Sequence, residues 1–125
     1  MKISQIREAF GKKLIGNKIM EHYVCEVLFQ MPEKIQKQIT STTWFISSFE
    51  DAYGFTFTGN DLKDNHLIFL SDELLVQNEE QIKYTIAHEI GHVFLEHRNA
   101  VLRPQSKSES NRQEKEAHEF ALKFL

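Results

Sequence analysis

From Asn78 to about His97 the apolar residues Ile82, Ile86, Ile90, Val93 and Phe94 recur at helical spacing. Such a stripe predicts a long, largely buried helix, and the rest of the chain has to be arranged around it. Asn78 followed by Gln81 reads as a capping box at its start. Within this apolar segment stand His88, Glu89 and His92, flanked by the small residues Ala87 and Gly91. The small residues leave room for a ligand or a second backbone to approach closely.

The remainder divides in two. Ile3, Ile6, Phe10 and Leu14 are spaced as on a short amphipathic helix, which Gly16-Asn17 interrupts. Asn17 is placed to cap a second helix carrying Met20, Val24, Val27, Leu28 and Met31. Pro32 suits the first turn of a third, over 33–40. From Thr42 the texture changes. Residues 43–47, 55–58 and 66–70 are β-branched and aromatic and read as strands, with turn chemistry at 59–61 and 63–65. The serine-rich stretch from Pro104 to Gln113 reads as a mobile loop and a candidate lid, and 114–125 as a closing helix with Ala117, Phe120, Ala121 and Phe124 on its apolar side. The expected architecture is one α+β domain over residues 1–125. A helical part over 1–41 is followed by a part over 42–125, in which a small, mainly antiparallel sheet packs against the long helix in a zincin-like arrangement.

Composition narrows the partners. A 125-residue chain with 41% hydrophobic residues can build a core without staples. A net charge of −3 and an isoelectric point near 6.1 give no electrostatic reason to bind nucleic acid or an anionic membrane. The lone Cys25 excludes an intrachain disulfide and reads as a small core residue. No stretch approaches the ~18 apolar residues of a membrane span. Residues 1–10 carry Lys2, Arg7 and Glu8 in place of an apolar leader. A soluble cytoplasmic protein is the expectation.

The spacing His88-Glu89-Ile90-Gly91-His92 carries chemistry. Histidines at i and i+4 share a helix face and can direct two imidazoles at one Zn²⁺. Glu89 points about 100° around the helix. That puts it beside the metal, where it can take a proton from metal-activated water and return it to a leaving amine. A catalytic zinc site needs a third protein ligand and an open position. Arg98 stands where the metzincin pattern requires a third histidine, so that pattern fails. Glu96 shares the face of His92, but three ligands from one straight helix converge poorly, so it reads as surface or support. His97 falls at the helix C-terminus, where the dipole favours a cation. The closing helix is the better source. Glu114 and His118 are four apart on one face, an arrangement that resembles thermolysin-like zincins, with Glu114 as ligand and His118 supporting a ligand histidine. Glu116 is the rival ligand. Tyr53, His66, His97 and His118 are candidate oxyanion donors, and Tyr84 reads as packing. Residues 66–70 read either as an edge strand to which a peptide could add or as an internal strand.

Residues 84–92, Tyr-Thr-Ile-Ala-His-Glu-Ile-Gly-His, followed by 114–121, Glu-Lys-Glu-Ala-His-Glu-Phe-Ala, resemble the ImmA/IrrE metallopeptidases. That family has a T-x-A-H-E-[LI]-G-H helix and a later E-x-x-A-x-x-F-A helix. The resemblance spans roughly residues 66–125 and falls on Glu114, Ala117, Phe120 and Ala121 in the second helix. It implies that Glu114 is a zinc ligand. It also implies limited cleavage of a protein substrate such as a helix-turn-helix repressor. The family helix usually continues to a leucine-rich stretch ending in Met-Pro, whereas this sequence stops at Phe124-Leu125. The competing reading is a zinc-binding regulatory or interaction module without peptide turnover. The small size favours that reading, and an intact Glu89 opposes it, because a structural site has no use for a base there.

Overall fold

The computed structural model describes residues 1–47, 54–58, 66–97 and 107–125. Helix α1 (Ile3–Phe10) buries Ile6 and Phe10 and stops at Gly11, which adopts φ +59°. Leu14, expected on this helix, instead opens strand β1 (Leu14–Gly16), so the part read as helical over 1–41 also contributes to the sheet. Gly16 is required there. Its φ is +125°, and a Cβ would overlap the Ile46 carbonyl of the neighbouring strand.

Asn17 then caps helix α2 (Lys18–Phe29), its side chain accepting from the Ile19 and Met20 amides. Helix α3 (Glu33–Ile39) follows with Pro32 at its N-cap. Strands β2 (Thr43–Ser47), β3 (Gly54–Thr58) and β4 (His66–Ser71) complete the sheet. A 3₁₀ turn (Asp72–Val76) leads into α4 (Glu79–Phe94), and α5 (Lys107–Lys123) packs along α4.

The strands lie in the order β1-β2-β4-β3. The β1–β2 and β2–β4 pairings are parallel, and β3–β4 is antiparallel. This corrects the mainly antiparallel sheet read from the sequence. The cause is connectivity. Two helices separate β1 from β2, and such a crossover returns the chain parallel, whereas a hairpin turns it back. Strand β3 does not enter between β2 and β4 but pairs on the far side of β4. Aromatic and β-branched residues suit either direction, so composition carried no sign of it. Of the two readings of residues 66–70, the internal strand is the one observed, and β3 forms the end of the sheet among the described residues.

One sheet face carries Trp44, Ile46, Ile68 and Leu70 into a core shared with Ile6, Phe10, Val24, Leu28 and Ile39 and with Ile82, Ile86, Ile90 and Val93 of α4. Trp44 and Phe10 meet edge to face at 6.3 Å. On the other face Phe45 and Phe69, paired in register, stack at 5.3 Å.

Helix α5 starts earlier than the sequence suggested. Residues 107–113 are helical, not loop, while 104–106 lie outside the described residues. Polarity misled the reading: this first part of α5 is mostly exposed, and Arg112 reaches Glu116 one turn on at 3.1 Å. No helix among the described residues is long and apolar enough to cross a membrane.

Candidate metal centre

Helix α4 begins where Asn78 accepts from the Gln81 amide at 2.8 Å. The Gln81 side chain does not complete the box and turns instead to Thr85 Oγ1 at 3.1 Å. Three turns of buried isoleucine then fix the rotation of α4 about its axis. That rotation puts His88 and His92 on the side facing α5, with their rings 4.7 Å apart and perpendicular. Helix α5 comes close because position 91 is glycine. A Cβ there would lie 2.9 Å from Phe120 Cδ1, and Ala117 and Ala121 are fully buried. Gly91, one of the two small residues read as room for a ligand or a second backbone, therefore admits α5.

This close approach brings Glu114 to both histidines. One carboxylate oxygen lies 3.0 Å from His88 Nε2 and the other 3.2 Å from His92 Nε2. A ligand atom from each of His88, His92 and Glu114 falls within 4.8 Å of the others. The two imidazoles are partly buried, whereas the Glu114 side chain is 58% exposed, so the cluster opens to solvent on the α5 side. Two imidazole nitrogens and one carboxylate, open on one side, are a donor set that zinc accepts.

Glu89 stands off this cluster, as its position on the helix requires. It is buried, with Oε2 accepting from the Thr56 hydroxyl of β3 at 2.5 Å and Oε1 lying 3.5 Å from His88 Nδ1. Burial disfavours a charged His88, but the carboxylates of Glu89 and Glu114 outweigh it and hold the imidazole above its ordinary value. Burial together with the neighbouring imidazoles His88 and His97 pushes His92 down to about 4.

The remaining candidates fall elsewhere. Glu96 is exposed, at φ +57° just past the helix end. Glu116 lies 3.0 Å from His97 Nε2 and is not part of the three-residue cluster. His97 is buried behind His92, their Nδ1 atoms 3.0 Å apart. His118 meets the Tyr84 hydroxyl at 2.6 Å, one turn beyond the His88–Glu114 contact, so Tyr84 is a polar partner as well as packing. Burial, then the charge of Glu114, raise the Tyr84 phenol. His66 opens β4 opposite Thr58. Tyr53 lies outside the described residues. Sequence reasoning missed Thr56 altogether, because one threonine in an alternating strand carries no signal of what it will face.

The cluster on two packed helices of this α+β chain is one that could hold a metal ion. Comparison with known families agrees at the level of a peptidase: the family model described as Peptidase U49 matches residues 79–125, which hold α4 and α5. The match supports a peptidase likeness in that segment and is not specific to the ImmA/IrrE family. Neither curated proteins nor solved structures gave a match.

Proposed function

We propose that this protein is a zinc-dependent endopeptidase of zincin type, with His88, His92 and Glu114 as metal ligands and Glu89 as general base. The observation that carries the reading is the convergence of those three ligand groups from two helices. The Peptidase U49 likeness over the same helices supports it.

A zinc ion held there would act as a Lewis acid on a peptide carbonyl and lower the pKa of its water to about 7. The chain's own residues do the rest. The Glu89 carboxylate takes a proton from the attacking water as its oxygen bonds to the carbonyl carbon, and later delivers that proton to the amine as the C–N bond breaks. Thr56 holds Oε2 of Glu89 and keeps the carboxylate from swinging. The substrate is a protein or peptide. By the ImmA/IrrE resemblance, a helix-turn-helix repressor inside a bacterial cell is the first one to try. A requirement for direct nucleic-acid or membrane contact finds no support in a chain of net charge −3.

The test pairs metal content with turnover. Wild type should carry about one zinc per chain, and Glu114→Ala should lose it. Glu89→Ala should keep the zinc and lose cleavage. Full cleavage by Glu89→Ala sinks the general-base assignment. Zinc retained without turnover of any peptide by wild type favours the interaction-module reading. A wild type that takes up no zinc even on reconstitution sinks both.

A further inference from the structure

Beyond the three candidate ligands, the site has a second layer that the proposed mechanism leaves unused. Helix α4 ends in a Schellman turn. The Glu96 amide donates to the Val93 carbonyl at 3.1 Å and the His97 amide to the His92 carbonyl at 3.0 Å, while Glu96 takes the left-handed conformation. This turn folds His97 back under the helix end, so that a residue five positions after His92 packs against its ring. His97 is 7% exposed, with its ring centroid 5.2 Å from that of His92. Its Nδ1 lies 3.0 Å from His92 Nδ1, and its Nε2 lies 3.0 Å from Glu116 Oε1. Glu116 is in turn held by Arg112 Nη1 at 3.1 Å.

With a metal on His92 Nε2, the proton positions along this chain follow. His92 turns its Nε2 toward Glu114, so as a ligand it must keep its proton on Nδ1. That proton can only be donated to His97 Nδ1, which must then be the unprotonated nitrogen. His97 carries its own proton on Nε2 and donates it to the Glu116 carboxylate. Every donor meets an acceptor, and the line ends on a negative charge fixed by a guanidinium. We infer that His97 and Glu116 are positioning residues for His92: they fix its tautomer and ring orientation and make its Nε2 a better metal donor. The same logic operates wherever a ligand histidine leans on a carboxylate, with an imidazole interposed here. This inference rests on the metal-centre reading above and goes beyond its ligands and base.

The test is zinc affinity of the full chain at pH 7.5, measured by competition with a chromogenic chelator, together with nitrogen-detected imidazole NMR of the zinc-loaded protein. His97→Ala should weaken zinc binding roughly 10–100-fold. His97→Gln should restore most of it, because its amide oxygen accepts from His92 and its amide nitrogen donates toward Glu116. Glu116→Gln, a near-isosteric change on a 41%-exposed side chain, should fall between wild type and His97→Ala. In the cobalt-loaded protein His97→Ala should preserve the wild-type visible bands, since the ligand set is unchanged, whereas Glu114→Ala should alter them. The NMR spectrum should show His92 protonated on Nδ1 and His97 on Nε2. Undiminished affinity in both His97→Ala and Glu116→Gln, or a His97 protonated on Nδ1, overturns the inference and leaves the metal centre standing. A wild type without zinc affinity overturns the metal-centre reading itself, and the inference with it.

Discussion

The Thr56 hydroxyl on β3 donates to Oε2 of Glu89 on α4 at 2.5 Å, and both residues are buried. Strand β3, the end strand among the described residues, thereby holds a carboxylate whose place on its helix comes from the histidine motif. Thr56→Val keeps the shape and removes the donor. A hydrogen bond to a charged group contributes about 1.5–3 kcal/mol, so a loss of that order is expected in urea unfolding of the metal-free protein. Peptide turnover should fall as the carboxylate gains freedom. An unchanged unfolding midpoint would show that the bond contributes nothing.

The contact between α4 and α5 rests on Gly91 facing Phe120. Alanine at 91 would gain about 1 kcal/mol of helix propensity. Against that, its Cβ would lie 2.9 Å from Cδ1 and 3.3 Å from Cβ of a Phe120 that is 8% exposed and has little room to yield. Overpacking costs about 1–3 kcal/mol, so Gly91→Ala should destabilise on balance and push Glu114 away from the histidines. Thermal unfolding and zinc affinity should both fall. In a Phe120→Leu background the same substitution should cost less, and equal costs in the two backgrounds would refute the contact as the cause.

Much of this site was legible because it is local. The i, i+4 pair His88 and His92, the offset of Glu89 and the Asn17 and Asn78 caps all depend on spacing within one helix. Glu114 was picked out by its i, i+4 pairing with His118 and by the family resemblance, and it does cluster with the two histidines. Non-local relationships were not legible. The direction of β2 beside β4 depends on how the connections run, and the helical start of α5 was hidden by its exposure. The Thr56–Glu89 pairing joins segments whose approach no pattern in the sequence specifies, and between α4 and α5 the pairings Tyr84–His118 and His97–Glu116 depend on side-chain placement that spacing does not give. His97 is the instructive case. A histidine at a helix C-terminus reads as a cation on the dipole, and only the left-handed turn at Glu96 shows it folding back to His92.

In the metal-free protein the two histidines should titrate in opposite directions. Burial lowers His92 to about 4, so its folded value lies below the ordinary 6.5. Its contribution to stability is present above 6.5 and is lost as the pH falls from there through about 4. His88 is raised, so its contribution is full below 6.5 and is lost as the pH rises through its folded value. Proton NMR of the imidazole signals should therefore show the His92 midpoint near 4 and that of His88 above 6.5. Coincident midpoints at the ordinary value would mean that the cluster is open to water in solution.

Cys25 gives a probe of the core that is independent of the metal centre. It lies on α2 among Val24, Leu28 and the other buried residues, itself 0% exposed, and burial pushes its thiol above the ordinary value. Reaction with a thiol reagent needs the thiolate and a path to it, and the folded chain withholds both. Labelling by a disulfide-exchange reagent at pH 8 should be negligible in the native protein and complete in denaturant. Its rate in the native state should then report the opening of the core. In Gly91→Ala the labelling should accelerate only if the disturbance at the α4–α5 contact spreads to α2, which packs against α4. Rapid labelling of the wild-type protein would mean that α2 does not hold Cys25 inside, and the core described here would have to be redrawn.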